Sequence, residues 1–230
     1  MPPASPIRRS SVQAASLALI AGYVDGYSLR LFGTYVSFMS GNTTIAGTSI
    51  GESHFSPALP AVLAIVSFLG GGFTGTWITH SQLRSSRSLL FGASALLLAT
   101  FIGLNLHTSN TAIPALSFAM GLINPAMTRV GSEPVSITFV TGTLNKIGAH
   151  LALAARRLQP SDAEAPSDTH LRRAALESSV WIAFFTGAIL SGIPIAVHLG
   201  SLSLLPASIA LLVFALQSFI RSTHKITASP

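Results

Sequence analysis

Apolar residues are gathered along this chain into six long runs, at 12–31, 57–79, 89–106, 112–127, 180–199 and 202–220. Each approaches or reaches the roughly 20 residues that cross a bilayer as a helix. The runs predict an all-α polytopic membrane protein with about six transmembrane helices, forming a single membrane domain over 1–230. One long hydrophilic stretch, Gln159–Arg173 (QPSDAEAPSDTHLRR), interrupts the pattern and reads as a cytoplasmic loop. A short uncharged one, His107–Thr111 (HTSNT), divides the chain near its middle.

Two further segments have a different texture. They are Val36-Ser37-Phe38-Met39-Ser40-Gly41-Asn42-Thr43-Thr44-Ile45-Ala46-Gly47 and Ile137-Thr138-Phe139-Val140-Thr141-Gly142-Thr143-Leu144-Asn145-Lys146-Ile147-Gly148. Both set a phenylalanine two residues ahead of a hydroxyl–Gly pair, and both carry a second Gly six positions after the first. They are apolar enough for a bilayer, yet too rich in Gly, Ser, Thr and Asn for plain lipid-facing helices. Paired glycine-interrupted segments in corresponding halves point to a transporter-type binding site. Looser echoes accompany them: Gly22 and Asp25 with Gly121 and Asn124, and Phe68 and Gly71 with Phe184 and Gly187. These divide the chain into a first repeat at 12–107 and a second at 111–221.

Charge sets the expected topology. If both glycine-rich segments re-enter the membrane without crossing it, six spans remain. With the N-terminus inside, Arg84 and Arg87, Arg129, the Arg156–Arg173 stretch, Arg221 and Lys225 all fall on the cytoplasmic side, as basic residues prefer. Arg30, near the outer end of the first span, runs against this pattern. If both segments cross, giving eight spans, Arg84, Arg87 and Arg129 move outside. The six-span arrangement fits better. It puts both termini in the cytoplasm and makes the second half an inverted copy of the first, with the two broken segments opening from opposite faces. The membrane expected is the plasma membrane or a bacterial inner membrane.

Composition agrees and narrows the chemistry. The chain is 49% hydrophobic and only 9% charged, with mean hydropathy +0.60, against about 25% charged in a soluble domain. The net charge of +6 sits in short loops between apolar runs, so no soluble basic face is left to read nucleic-acid phosphates. Cysteine is absent, which excludes disulfides, thiolate metal sites and cysteine nucleophiles. The seven histidines form no HxxH or HExxH pattern, and no P-loop or dinucleotide fingerprint occurs, so no cofactor or metal is expected. Arg8 and Arg9 precede the first apolar run, but Gly22, Asp25 and Arg30 interrupt it, and it reads as a span that stays.

Four stretches together resemble a known group: Ala21-Gly22-Tyr23-Val24-Asp25-Gly26, Met39-Ser40-Gly41-Asn42-Thr43, Ala119-Met120-Gly121-Leu122-Ile123-Asn124-Pro125-Ala126 and Val140-Thr141-Gly142-Thr143. They look like the hallmarks of the YoaK-like family, small membrane proteins grouped under a domain of unknown function. The resemblance covers about residues 12–221 and implies a multispanning membrane protein, with no established substrate. Where that family commonly has Thr-Gly-Asn this chain has Ser40-Gly41-Asn42, and where it commonly has Gln-Asn this chain has Ile123-Asn124.

Asp25 is the most informative single residue, a carboxylate in the middle of the first run. Such a group costs about 2.5–3.5 kcal/mol at a helix centre and is normally paired or turned to a cavity. It is either a proton or cation relay, a substrate ligand, or a structural partner of Arg30 or Lys146. Lys146 either meets Asp25 at the midplane or snorkels to the inner interface. Ser40, Gly41, Asn42 and Thr43, with Thr141, Gly142, Thr143 and Asn145, are the expected points of helix discontinuity, and Asn124 is the counterpart of Asp25. Unwound backbone at membrane depth lines a cavity or is buried in protein, and half-helix N-termini attract anions. The bland alternative is close helix packing by small and hydroxyl residues. Gly22/Gly26, Gly47/Gly51 and Gly71/Gly75 have the GxxxG spacing, which suits a tight bundle or a homodimer.

The leading expectation is a secondary transporter or channel for a small polar solute or ion, not an enzyme, with the central site between two inverted repeats and Asp25 as its charge or proton-coupling residue. The alternatives are a membrane-embedded enzyme acting on a lipid-like substrate and a non-catalytic membrane scaffold.

Overall fold

The structure is a computed structural model that describes residues 6–80, 86–105, 111–126, 129–130, 133–136, 138–163 and 167–227. In chain order these form α1 (Pro6–Phe32), α2 (Met39–Gly51), α3 (Phe55–His80), α4 (Ser86–Asn105), α5 (Ala112–Ile123), α6 (Val140–Ala155), α7 (His170–Gly192), α8 (Pro194–Leu199) and α9 (Leu205–Thr227). Single 3-10 stretches follow α5 (Asn124–Ala126) and α8 (Gly200–Leu204). A two-residue antiparallel pair, β1 (Arg129–Val130) with β2 (Glu133–Pro134), precedes α6.

Alanines line much of the interior, beside larger buried residues such as Leu17, Tyr27, Leu97 and Met120, and many large apolar side chains also face outward. Ala14, Ala18, Ala21, Ala61, Ala64, Ala93, Ala119 and Ala215 are buried, whereas on α3 Leu59, Val66, Leu69, Phe73 and Trp77 form an exposed stripe at helical spacing. So extended an apolar stripe is rare on the surface of a soluble monomer. Lipid tails are as apolar as leucine, so helices in a bilayer associate through close backbone packing and leave their large side chains to the lipid.

Helix pairing follows the same logic. The principal pairs are α1 with α7, α3 with α5, α4 with α9, α2 with α3 and α6 with α7. At the α1–α7 crossing Gly22 lies against the Phe184 carbonyl and Gly187 against the Leu19 carbonyl. At the α3–α5 crossing Gly121 lies against the Phe68 carbonyl and Gly71 against the Phe118 carbonyl. A Cβ at any of the four would collide with backbone. Of the GxxxG residues, Gly22, Gly26 and Gly71 pack within the chain, while Gly47 and Gly51 face open space.

Among the described residues three stretches are long and apolar enough to cross a membrane: Phe55–Ile78, His170–Gly192 and Pro194–Gln217. Leu90–Asn105 and Ala112–Ile123 are shorter apolar helices. Two expected boundaries move. The run at 180–199 is not one helix, because Pro194 holds Ile193 extended (φ −67°, ψ 148°) and ends α7 at Gly192. In compensation α7 starts ten residues earlier, where the Thr169 hydroxyl accepts from the Arg172 N–H at 3.3 Å. His170–Arg173, expected in the loop, are therefore the first turn of α7. The run at 112–127 leaves α-geometry at Asn124, since Pro125 has no N–H to offer the Gly121 carbonyl. His107–Asn110, Arg84 and Met127 lie outside the described residues.

Candidate functional site

The two glycine-rich segments fold alike. Each begins with an extended stretch and enters its helix through phenylalanine: Phe38 before α2 (φ −88°, ψ 75°) and Phe139 before α6 (φ −95°, ψ 71°). Each helix then ends in a left-handed residue, Ser53 (φ 60°) or Arg157 (φ 56°). The closing bonds also match. Glu52 and Arg156 donate to the carbonyls of Thr48 and Ala152, and His54 and Leu158 to those of Ser49 and Leu153. This is the left-handed C-cap geometry that satisfies the last carbonyls of a helix. At 13 residues α2 is about 20 Å long, short of the roughly 30 Å hydrocarbon core.

The discontinuity lies ahead of the residues expected to carry it. Gly41, Asn42 and Thr43 are in the first turn of α2, and Gly142, Thr143 and Asn145 in the first turns of α6. Neither Gly41 nor Gly142 has positive φ. What each provides is room, because the Phe38 ring lies over Gly41 and the Phe139 ring over Gly142. The non-helical backbone is instead 33–38, released from α1 at Gly33 (φ 66°).

Side chains satisfy that stretch group by group. Asp25 Oδ1 accepts from the Val36 and Ser37 N–H groups, both at 2.8 Å, and its Oδ2 accepts from the Ser37 hydroxyl at 2.7 Å. Asn42 brackets Tyr35, accepting from its N–H at 3.1 Å and donating to its carbonyl at 2.7 Å. The Ser28 hydroxyl donates to the Thr34 carbonyl at 2.9 Å. All of this is buried or half-buried, as irregular backbone at membrane depth requires. Asp25 pairs with neither Arg30 nor Lys146. Its partners are the loop it holds.

The second copy is sparser. Asn124 Oδ1 accepts from the Thr138 hydroxyl at 3.0 Å, and Thr143, buried like Asn42, donates its hydroxyl to the Phe139 carbonyl at 3.1 Å. Ser40, Thr43, Thr141 and Asn145 are exposed. Among the described residues no hydrogen bond joins 40–43 to 141–145, and α2 packs on α3 while α6 packs on α7.

A second polar centre went unread in the sequence. Lys146 Nζ bonds the Pro134 carbonyl and lies 3.0 Å from Glu177 Oε1 and 3.4 Å from Glu133 Oε1. Glu133 also meets His150 Nε2 at 3.4 Å and Arg173 at 3.3 Å. The available signal was a glutamate seven residues into an otherwise apolar α7, on the same face as Arg173 one turn earlier. Among the described residues no three His, Asp or Glu side chains are placed to hold a metal ion.

Comparison with known proteins gives the same class. The family model described as "Protein of unknown function (DUF1275)" matches residues 13–217. The UPF0700 transmembrane protein RA0705 of Rhizobium meliloti (strain 1021) is 30% identical over 218 residues, covering 92% of this chain and 88% of the relative. No solved structure gives a significant match. With apolar runs throughout, lipid-suited packing and a family match over nearly its whole length, the chain belongs to the DUF1275 family and is an integral membrane protein.

Proposed function

We propose that this protein is a secondary transporter or channel for a small polar solute or ion, built from two inverted repeats around a site formed by the two interrupted segments. The observation that carries the reading is a reciprocal one. Gly22–Asp25–Ser37–Phe38–Gly41 and Gly121–Asn124–Thr138–Phe139–Gly142 follow in the same order, each with a glycine at a helix crossing, a side chain accepting from a hydroxyl and a ring over a glycine. The first helix of each half packs against the third helix of the other: Gly22 on Phe184, Gly121 on Phe68. Contacts that remain true when the two halves are exchanged are the signature of a two-fold relationship, and discontinuous helices in such a frame support a transport site.

In this reading α2 and α6 are half-helices whose N-termini, at Met39 and Val140, offer positive dipole ends to the solute. Asp25 fixes the 33–38 stretch through its oxygens and, in addition, supplies the site's charge or proton coupling, and rocking of one half against the other alternates access. The test is flux. Purified protein in liposomes is assayed for uptake and counterflow with a panel of small polar solutes and monovalent ions, beside Asp25→Asn. Flux that falls in a folded Asp25→Asn variant supports the reading. Absence of uptake and counterflow across the panel, with folded and monodisperse wild-type protein, overturns it.

A further inference from the structure

The cluster between β2, α6 and the start of α7 joins carboxylates, cations and imidazoles in one network. Among the described residues four carboxylates, Glu133, Asp162, Asp168 and Glu177, surround two cations, Lys146 and Arg173. Arg173 is occupied by Asp162 and Asp168, each at 2.9 Å, and by Glu133. That leaves Lys146 to serve both Glu133 and Glu177. Glu177 is fully buried; its Oε1 has the Lys146 ammonium, and its Oε2 has no hydrogen-bond partner among the described residues. A bare carboxylate oxygen removed from water and without a donor is the costly state of that group.

Beside it stands a proton carrier. His150 Nδ1 and His170 Nδ1 face each other at 2.9 Å, so one must donate and the other accept. With His170 as donor, the Nε2–H of His150 points along its 3.4 Å approach to Glu133 Oε1. The pair thus passes one hydrogen toward the carboxylates, and imidazole is the side chain suited to exchanging it near neutral pH.

We propose that Glu177 is a proton-binding residue: its Oε2, bare in the ionised form, carries the proton. The His150–His170 pair, which reaches the cluster at Glu133 Oε1, brings it in by way of that carboxylate, while Lys146 remains on Glu133. One proton leaves the solution and the formal charge of the cluster rises by one. The groups facing Glu177 are Lys146 and His150 from α6, Glu133 from β2, and His170 and Arg173 from its own helix. On the α1 side, which runs in the same direction as α7 with Tyr23 against Gly187, Glu177 lies level with about Gln13. The titratable residues of α1 nearest along the helix are therefore Arg9 and Arg8, and Asp25, Tyr27 and Arg30 lie beyond Tyr23, more than about 15 Å away. A metal cation is a poor occupant, because the ammonium 3.0 Å from Oε1 would repel it. This site goes beyond the transport reading and does not depend on it.

The experiment is a pH titration of the full-length protein in nanodiscs, with carbon-13 in the glutamates and nitrogen-15 in the histidines, followed by infrared and NMR spectroscopy. As the pH is lowered the wild type should gain one protonated-carboxyl band that shifts with the glutamate label. The band should be lost in Glu177→Gln and kept in Glu133→Gln. In His150→Gln its midpoint should move by about one pH unit, a tenfold change in proton affinity. A wild type with no such band overturns the proposal, as does a band that survives in Glu177→Gln. Should Glu177→Gln not fold, the wild type still decides: the histidine nitrogen-15 signals must change as the glutamate-labelled band appears, and a band that leaves both imidazoles unperturbed overturns the relay.

Discussion

The Asp25 carboxylate holds Ser37 twice, through the backbone N–H at 2.8 Å and through the hydroxyl at 2.7 Å. These residues are twelve apart in sequence, so the contact closes a buried loop and fixes where α1 gives way to α2. A lone acid in the middle of an apolar run is therefore accounted for by the backbone it satisfies, with no cation needed. The same relationship recurs between Asn124 and Thr138, in neutral form.

Asp25→Ala should destabilise the protein severely, because the Val36 and Ser37 N–H groups lose their acceptor in a buried setting. Each orphaned donor costs about 1–3 kcal/mol. Asp25→Asn keeps Oδ1 as acceptor, and its amide can donate to the Ser37 hydroxyl, so the loss should stay near about 1 kcal/mol. Thermal unfolding in detergent should rank wild type first, then Asp25→Asn, then Asp25→Ala. Equal losses in the two variants would show that the charge, and not the acceptor geometry, holds the loop.

Glycines of one chain should divide into two classes. At Gly22, Gly71, Gly121 and Gly187 a methyl group meets a backbone carbonyl of the partner helix, which cannot rotate aside. Alanine there should cost about 1–3 kcal/mol or more by forcing the helices apart. At Gly47 and Gly148, both in helices and facing open space, alanine should stabilise by up to about 1 kcal/mol through helix propensity. Melting temperatures of the six single variants check the division.

These two classes mark what could be read from sequence. Gly22 with Gly121, and Phe68–Gly71 with Phe184–Gly187, were legible as an echo because close packing demands the same small residue at each crossing. That they pair crosswise, Gly22 on Phe184 and Gly121 on Phe68, was not legible, since periodicity carries no information on which helix meets which. Asn42 stood out, but Ser37 and Thr138 did not, because a hydroxyl in an apolar segment looks the same whether it packs or anchors. The break was placed at Gly41 and Gly142 on their conformational freedom, whereas those residues are helical and serve the rings of Phe38 and Phe139. Lys146 was assigned to Asp25 or to the interface. Its partner Glu133 arrives on a two-residue strand that no hydrophobic pattern announces.

Removing Lys146 while leaving Glu177 should cost more than removing both. Lys146→Met strands a fully buried carboxylate that has only one hydrogen-bond partner, and breaking a buried pair from one side costs about 3–5 kcal/mol. The double variant Lys146→Met/Glu177→Gln should recover most of that loss, with a coupling energy of at least about 1 kcal/mol. Additive losses near neutral pH would mean that the two side chains do not interact.

Side-specific labelling separates the topologies through two turns of known exposure. Ser53 follows α2 and Ser161 lies in the loop after α6, both at the surface and both in a chain without cysteine. If α2 and α6 re-enter the bilayer from opposite faces, the two turns lie on opposite sides of it. If both helices cross, as in an eight-span arrangement, the two turns lie on the same side. The 13-residue length of α2 favours re-entry, because about 20 Å of helix leaves a third of the hydrocarbon core unspanned. A membrane-impermeant maleimide applied to intact cells should modify Ser53→Cys and leave Ser161→Cys untouched until the membrane is opened. Labelling of both from one side would leave the Gly22 and Gly121 crossings as packing within a bundle and remove the inverted frame on which the transport reading stands.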